Sequence, residues 1–414
     1  MIGPGKKSIR GIALPLLVVA AASASFAAEP PAPLAIVAET IWTMNGPPIA
    51  NGVVLLSGGK VEKVGPASEV AIPEGYRRID GKVATPGLID AHTVVGLAGM
   101  YNVDHDQDQL DTSGPIQPEL RAIDAYNARE ELVAWLRSFG VTTIHTGHGP
   151  GALVSGQTMV VKTAGATAEA AVLRPEAMVA MTLGPEVEEN FESPGTRAKG
   201  VALLRAELVK AGEFAEKRAA KDPAKRPARD LRLEVLARVL DGELPALVTA
   251  QSAVDILASL RLAKEFGFRL VLDGAAEAYL VLDEIRGAGV PVVVHPPMAR
   301  LGGGLRNAAL DTAGKLADAG IPIALQSGYE SYVPKTRVVL FEATVAAANG
   351  LGTERALAAI TRDAAKLLGV ADRVGTLEPG KDADVVVFDG DPFEYTSHVC
   401  TVIVDGRPVS EVCR

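Results

Sequence analysis

Between residues 83 and 328, short apolar runs alternate with amphipathic helical stretches, and that alternation leaves few folds open. Runs of this length bounded by turn residues read as strands buried on both faces, and the stretches between them read as covering helices. The expected strands are VATPGLIDAHTV (83–94), VTTIHTG (141–147), MVVKTA (159–164), AMVAMTLG (177–184), ALVTAQ (246–251), FRLVLDGA (268–275), VPVVVHP (290–296) and IPIALQSG (321–328). Helices such as AVDILASLRLAKEF, AEAYLVLDEIRGAG and NAALDTAGKLADAG lie between them. Repeated strand–helix units close most naturally as a parallel (β/α)8, TIM-like barrel. Residues 186–244 are charged and Ala-rich and read as a helical insertion with an exposed break at KDPAKRPARD.

The two ends of the chain have a different texture. LAIVAETIWTM, GVVLLSGGKVEKVG and RRIDGKVATPG alternate apolar and polar residues with Asn-Gly and Gly-Gly breaks, as does VCTVIVDGRPVSEV near the C-terminus. These ends are expected to form a small composite β-sandwich. The domain reading is therefore a leader at 1–27, sandwich at 28–84, barrel at 85–369 and sandwich again at 370–414.

The leader rests on Lys6, Lys7 and Arg10, followed by the apolar stretch Gly11–Ala22 and the small-x-small site Ser25-Phe26-Ala27. An apolar run of that length is too short to span a bilayer, so a cleaved secretory signal and a periplasmic location are expected. No membrane insertion is expected after cleavage. The formal charge of −9 argues against nucleic acid or an anionic membrane as partner and leaves a small molecule as the expected ligand. The two cysteines, Cys400 and Cys413, flank a strand–turn–strand segment. They fit a disulfide across a hairpin and equally fit two free thiols.

Four passages carry a family resemblance: GGKVEKVGP at 58–66, PGLIDAHT at 86–93, GKDADVVVFDGDP at 380–392, and RDAAKLLGVADRVGTLEPGKDAD, which leads into the last of these. Together they resemble the metal-dependent amidohydrolases, in particular the imidazolonepropionase-like and dihydroorotase-like members. The resemblance implies the barrel and composite sandwich read above. It also implies hydrolysis of C–N bonds by a water activated on a divalent metal, commonly zinc. The implied ligands are a His-x-His pair on the first strand, a lysine, two further histidines and a final aspartate. His92 fills the first place, but Val94, Ala180, Thr249, Gly274 and Gly328 stand at the others. The usual binuclear centre cannot assemble from these residues.

Other polar residues fall at strand ends, which converge on a barrel mouth. His92, His145 and His295 are the candidate ligands of a remodelled, mononuclear zinc site. Asp273 and Glu330 are the candidate acid–base groups, and His105, Gln157 and Tyr329 the candidate substrate contacts. His148, in IHTGHGPG, and Lys162 belong to the same neighbourhood. Each also fits a plainer role: His145 and His295 end apolar runs, where a histidine is often hydrogen-bonded at the edge of a core. Two functions follow. One is an exported hydrolase of non-peptide or dipeptide-type amide bonds. The other is an inactive relative that binds a ligand or pairs with an active one, and homo-oligomers suit either.

Overall fold

At the N-terminal end, β1 (Leu34–Ile41), β2 (Ile49–Ser57), β3 (Lys60–Pro66) and β4 (Arg77–Pro86) follow one another closely. β1 lies antiparallel to β2 and parallel to β4. Gly58 and Gly59 turn β2 into β3, both at positive φ, as a tight hairpin between right-twisted strands requires. The computed structural model describes residues 1, 3, 30–101, 103–329 and 337–414, so the expected leader lies outside the described residues. Pro31–Arg414 form one compact unit.

The inner strands are β5 (Leu88–Thr93), β6 (Val141–Thr146), β7 (Val154–Gln157), β8 (Met159–Lys162), β9 (Val172–Arg174), β10 (Val179–Thr182), β11 (Ala246–Ala250), β12 (Leu270–Gly274), β13 (Val292–Val294) and β14 (Ile323–Leu325). They form a sheet ordered β14-β13-β12-β11-β10-β7 and another ordered β5-β6-β8-β9. The C-terminal end supplies β15 (Val385–Phe388), β16 (Val399–Val404) and β17 (Arg407–Ser410). These extend the N-terminal strands into one seven-stranded sheet, β17-β16-β15-β4-β1-β2-β3. Both chain ends thus share a sheet, as expected, and its hydrogen bonding runs continuously through all seven strands. Its β3 edge turns back to the C-terminal half, where Val61 N donates to Lys381 O at 2.9 Å and Gly380 N to Val61 O at 2.9 Å.

The segment expected as one strand, 83–94, is two. Gly87 N still bonds Asp384 O of the outer sheet, whereas Leu88 N bonds Gly140 O of the inner one. A Cβ at Gly87 would lie 2.0 Å from Thr142 Oγ1, so only glycine lets the chain cross here. The strand expected as parallel at 159–164 is also corrected. β8 runs antiparallel to β6, and β7 antiparallel to β10, with Thr158 between them. Apolar alternation reports which faces are buried and carries no direction, so this reversal was invisible in the pattern. The parallel neighbours β10 to β14 do follow the expected order. β5 and β14 meet through one parallel bridge, Thr93 to Gly328.

The covering helices form where their caps permit. Ala253–Phe266 starts behind Ser252, whose hydroxyl accepts from Asp255 N, and stops at Gly267 in the left-handed conformation. The insertion after β10 is helical, with Arg197–Arg218 and Leu231–Leu240 separated by a break at 219–230. Among the described residues no helix is long and apolar enough to cross a membrane.

Candidate active site

One buried layer inside the inner strands determines where the site lies. Ile89, Leu247, Val271, Val293 and Ala324 belong to a single apolar cluster, contributed by β5, β11, β12, β13 and β14. Side chains two residues apart on a strand share a face, so the next layer toward the C-terminal ends is fixed by the sequence. Above the last four come Thr249, Asp273, His295 and Gln326. An apolar floor is thus capped by polar groups at the strand ends, where barrels of this type place their chemistry.

These four residues, with His92 and Tyr329, border a cavity of about 40 Å³. That is room for water-sized groups and little more. Asp273 is its anchor. One carboxylate oxygen lies 3.0 Å from His92 Nδ1 and accepts from Gln326 Nε2 at 2.9 Å, while the other accepts from Thr249 Oγ1 at 2.6 Å. His92 and Asp273 are each about 3 % exposed, so neither charge is offset by water. Burial works against the His92 imidazolium, but the Asp273 charge and hydrogen bond outweigh it and raise the imidazole above its ordinary value. The same pairing lowers Asp273 against the opposing effect of burial. The Nδ1 contact requires a proton on that nitrogen, because a carboxylate only accepts. His92 Nε2, the other ring nitrogen, is buried without a hydrogen-bond partner.

His295 repeats the arrangement in weaker form. Its Nδ1 lies 3.1 Å from Pro296 O, its Nε2 has no partner, and burial depresses its pKa. Asp90, one turn of pleat before His92, serves a different purpose. It accepts from Ser327 N at 3.0 Å and from Ser327 Oγ, tying β5 to the end of β14, and burial pushes its carboxyl up to about 6.

Of the other expected site residues that the structure describes, His145, Gln157 and His105 are not at this cavity. His145 is buried, with Nδ1 2.7 Å from Ala91 O and Nε2 2.6 Å from Thr158 Oγ1. Both nitrogens are occupied, and burial, together with the neighbouring His92, lowers its pKa to about 3. It is the core-edge histidine of the plainer reading. Gln157 is buried and donates to Pro118 O at 3.0 Å, holding a loop. His105 sits exposed in the 3-10 turn Asp104–Asp106. Tyr329 does border the cavity, and its hydroxyl accepts from Gln109 Nε2 at 3.3 Å. Glu330 lies outside the described residues. Lys162 points to the outer sheet, ion-paired with Asp382 at 2.8 Å and Asp384 at 3.1 Å. Gln326, which holds the Asp273 carboxylate, carried no signal in the sequence as a site residue, and Thr249 was read only as standing in a lost ligand's place, because neither is a metal ligand or an acid–base group.

The positions of the missing metal ligands are informative. His92, Val94, Thr249, Gly274 and Gly328 all border the cavity; Ala180 does not. Gly274 and Gly328 are at positive φ, 74° and 72°. A Cβ at Gly274 would lie 2.4 Å from Gln251 Nε2, and one at Gly328 2.6 Å from Pro296 Cγ. Backbone and neighbours therefore disfavour any side chain at two ligand positions. Among the described residues, no three His, Cys, Asp or Glu side chains come together to hold a metal ion. A catalytic zinc needs three protein ligands, and Asp273 already accepts from His92, Thr249 and Gln326, which takes up three of its four lone-pair sites. These residues do not fit a metal centre. Larger clefts exist, one of about 970 Å³ and another of about 400 Å³, but helix residues dominate their linings and His92, Asp273 and His295 take no part.

Comparison with known proteins places the whole chain beside one family. Residues 107–410 match the model of the amidohydrolase family. An amidohydrolase from Thermotoga maritima superposes with a TM-score of 0.86 at 30% identity, covering 91% of this chain and 100% of that one. An imidazolonepropionase of Rhizorhabdus wittichii is 27% identical over 82% of this chain and 88% of its own length. The amidohydrolase tasK of Hapsidospora irregularis is 26% identical over 86% of this chain, which spans only 39% of that longer protein.

Proposed function

The chain belongs to the amidohydrolase family, and from that premise we propose that it hydrolyses C–N bonds of amides, non-peptide or dipeptide-type, with the attacking water held in the cavity bordered by His92, Asp273 and His295. The observation that carries this reading is the unpartnered Nε2 of His92, buried where family members place a metal ligand. Family members generally use a divalent metal, and the side chains around this cavity do not supply the ligands for one. The proposed site is therefore remodelled, and its partner is a small molecule.

A closed eight-stranded barrel surrounds it in this reading, supported by the Thr93–Gly328 bridge and the Asp90–Ser327 bonds. The sheet segments at 28–84 and 370–414 then flank a barrel at 85–369. The working compartment is the periplasm, reached through the segment 1–27. A disulfide between Cys400 and Cys413 supports an oxidising location. The two cysteines are adjacent to Val399 and Arg414, which exchange backbone hydrogen bonds at 2.9 and 3.0 Å.

The second reading, a hydrolytically silent binder or partner subunit, is favoured by Val94, Gly274 and Gly328, which remove ligands that a metal enzyme cannot lose. One experiment separates the two. The mature chain is incubated with cyclic amides, N-acyl amino acids and dipeptides, and released amine or opened ring is measured beside a His92→Ala control. Turnover lost in the control supports the hydrolase. Turnover from no compound in the panel rejects it, and mixing with a ligand-complete relative then tests the pairing.

A further inference from the structure

We propose that the His92–Asp273 pair replaces the metal, so that the protein is a metal-independent amide hydrolase with His92 Nε2 as its proton-transfer atom. The inference rests on the hydrolase reading and deepens it. It starts from the disagreement between the family's chemistry and this chain's cavity. Two ligand positions are glycines at positive φ in which a Cβ would meet its neighbours, and Asp273, the one acidic side chain there among the described residues, already accepts three hydrogen bonds.

What remains is a different device. A histidine works as a general base when one nitrogen is held as N–H by a buried acceptor and the other presents its lone pair to the reacting centre. His92 meets both conditions: Nδ1 lies 3.0 Å from Asp273, and Nε2 is unpartnered beside a cavity large enough for water. Thr249 and Gln326 fix the carboxylate, so the imidazole cannot rotate without breaking a buried network. His295, held through Nδ1 by Pro296 O, offers a second acceptor nitrogen to the same cavity. Two such lone pairs suit the two hydrogens of one water.

The reaction balances without any co-reactant. As the water oxygen forms its bond to the carbonyl carbon, His92 Nε2 takes one water proton and the carbonyl π pair moves to oxygen. The tetrahedral adduct collapses, the C–N bond breaks, and Nε2–H returns its proton to the leaving nitrogen. A carboxylic acid and an amine result, and His92 is restored. Asp273 acts through His92 and is a positioning residue: it keeps the proton on Nδ1 and offsets the imidazolium charge during transfer.

The test uses the full mature chain and the panel compound it turns over fastest, before and after dialysis against EDTA, with Asp273→Asn alongside. The expected result is unchanged turnover after EDTA. In Asp273→Asn, kcat should fall by about 10²–10⁴-fold with KM unchanged and circular dichroism as in the parent. A purely structural role for Asp273 would instead move KM, the spectrum or the melting temperature together with kcat. Turnover that EDTA abolishes and zinc restores would overturn the inference while leaving the hydrolase reading intact. Absence of turnover in the untreated chain would overturn both. An Asp273→Asn variant that fails to fold is replaced by Thr249→Val, which removes one support of the carboxylate and should lower kcat by about tenfold without changing KM.

Discussion

Two buried charged clusters in this protein look alike in composition and differ in how they are finished. At the seam between inner and outer sheets, Lys162 pairs with Asp382, Asp384 and Asp405, and Asp382 also receives Lys60 at 2.6 Å and Arg373 at 2.7 Å. Against burial, the hydrogen bonds from Arg373, Lys162 and Lys60 hold the Asp382 carboxyl down at about 2. Its neighbour Asp384 is pushed up to about 6 by burial, which the charge of Lys162 only partly offsets. At the mouth, Asp273 accepts three hydrogen bonds, but two imidazole nitrogens beside it stay open toward a cavity. Buried polar atoms are almost always paired; the seam leaves one, Asp384 Oδ2, without a partner, whereas the unpaired nitrogens of the mouth face a cavity, which is the setting of functional sites. The seam ties the two sheets together, and a mouth finished in this way suits the proposed hydrolysis.

The comparison is easiest to break at Lys162. Lys162→Met leaves buried carboxylates without their shared cation and is expected to lower stability by about 3–5 kcal/mol, measured by urea unfolding. A loss no larger than that of a surface substitution would refute the seam as a clamp. A second, smaller effect concerns pH. The folded Asp384 carboxyl titrates at about 6, above its usual 3.8. Its contribution to stability is therefore full at acid pH and is lost as the pH rises from about 4 through about 6. Asp384→Asn should flatten that part of the stability–pH curve, by about 3 kcal/mol. Asp90, also at about 6, leaves a residual slope in the same direction. The smallest stability effect belongs to the mouth. His92→Gln removes the open Nε2 but keeps an amide N–H able to donate to Asp273, and Thr249 and Gln326 still hold that carboxylate, so its melting temperature should move less than that of Lys162→Met, while hydrolysis disappears. A variant that loses both equally would place His92 with the seam residues.

Much of this was legible before the structure. The buried strands, the helix Ala253–Phe266 and the Asp405-Gly406 turn follow from apolar period and turn chemistry, and Asp405 and Gly406 do adopt positive φ. Strand ends converge in a barrel-like arrangement, so His92, Asp273 and His295 could be placed near one another across 181 residues of sequence between the first two. What stayed hidden depends on partners that local sequence does not name. The direction of Val154–Lys162 was one case. The saturation of both His145 nitrogens by Ala91 and Thr158 was another. Lys162 resembled a ligand contact until its carboxylates, more than 200 residues away, were brought to it. Thr249 and Gln326 matter only because of what they hold.

The central claim is that the mouth works through His92 and Asp273 without a metal. Its most direct test is the metal content of the mature protein, purified without chelator and measured by inductively coupled plasma mass spectrometry on an actively hydrolysing sample. The account predicts far less than one divalent ion per chain, unchanged in His92→Ala. A stoichiometric ion that disappears with His92→Ala would contradict it.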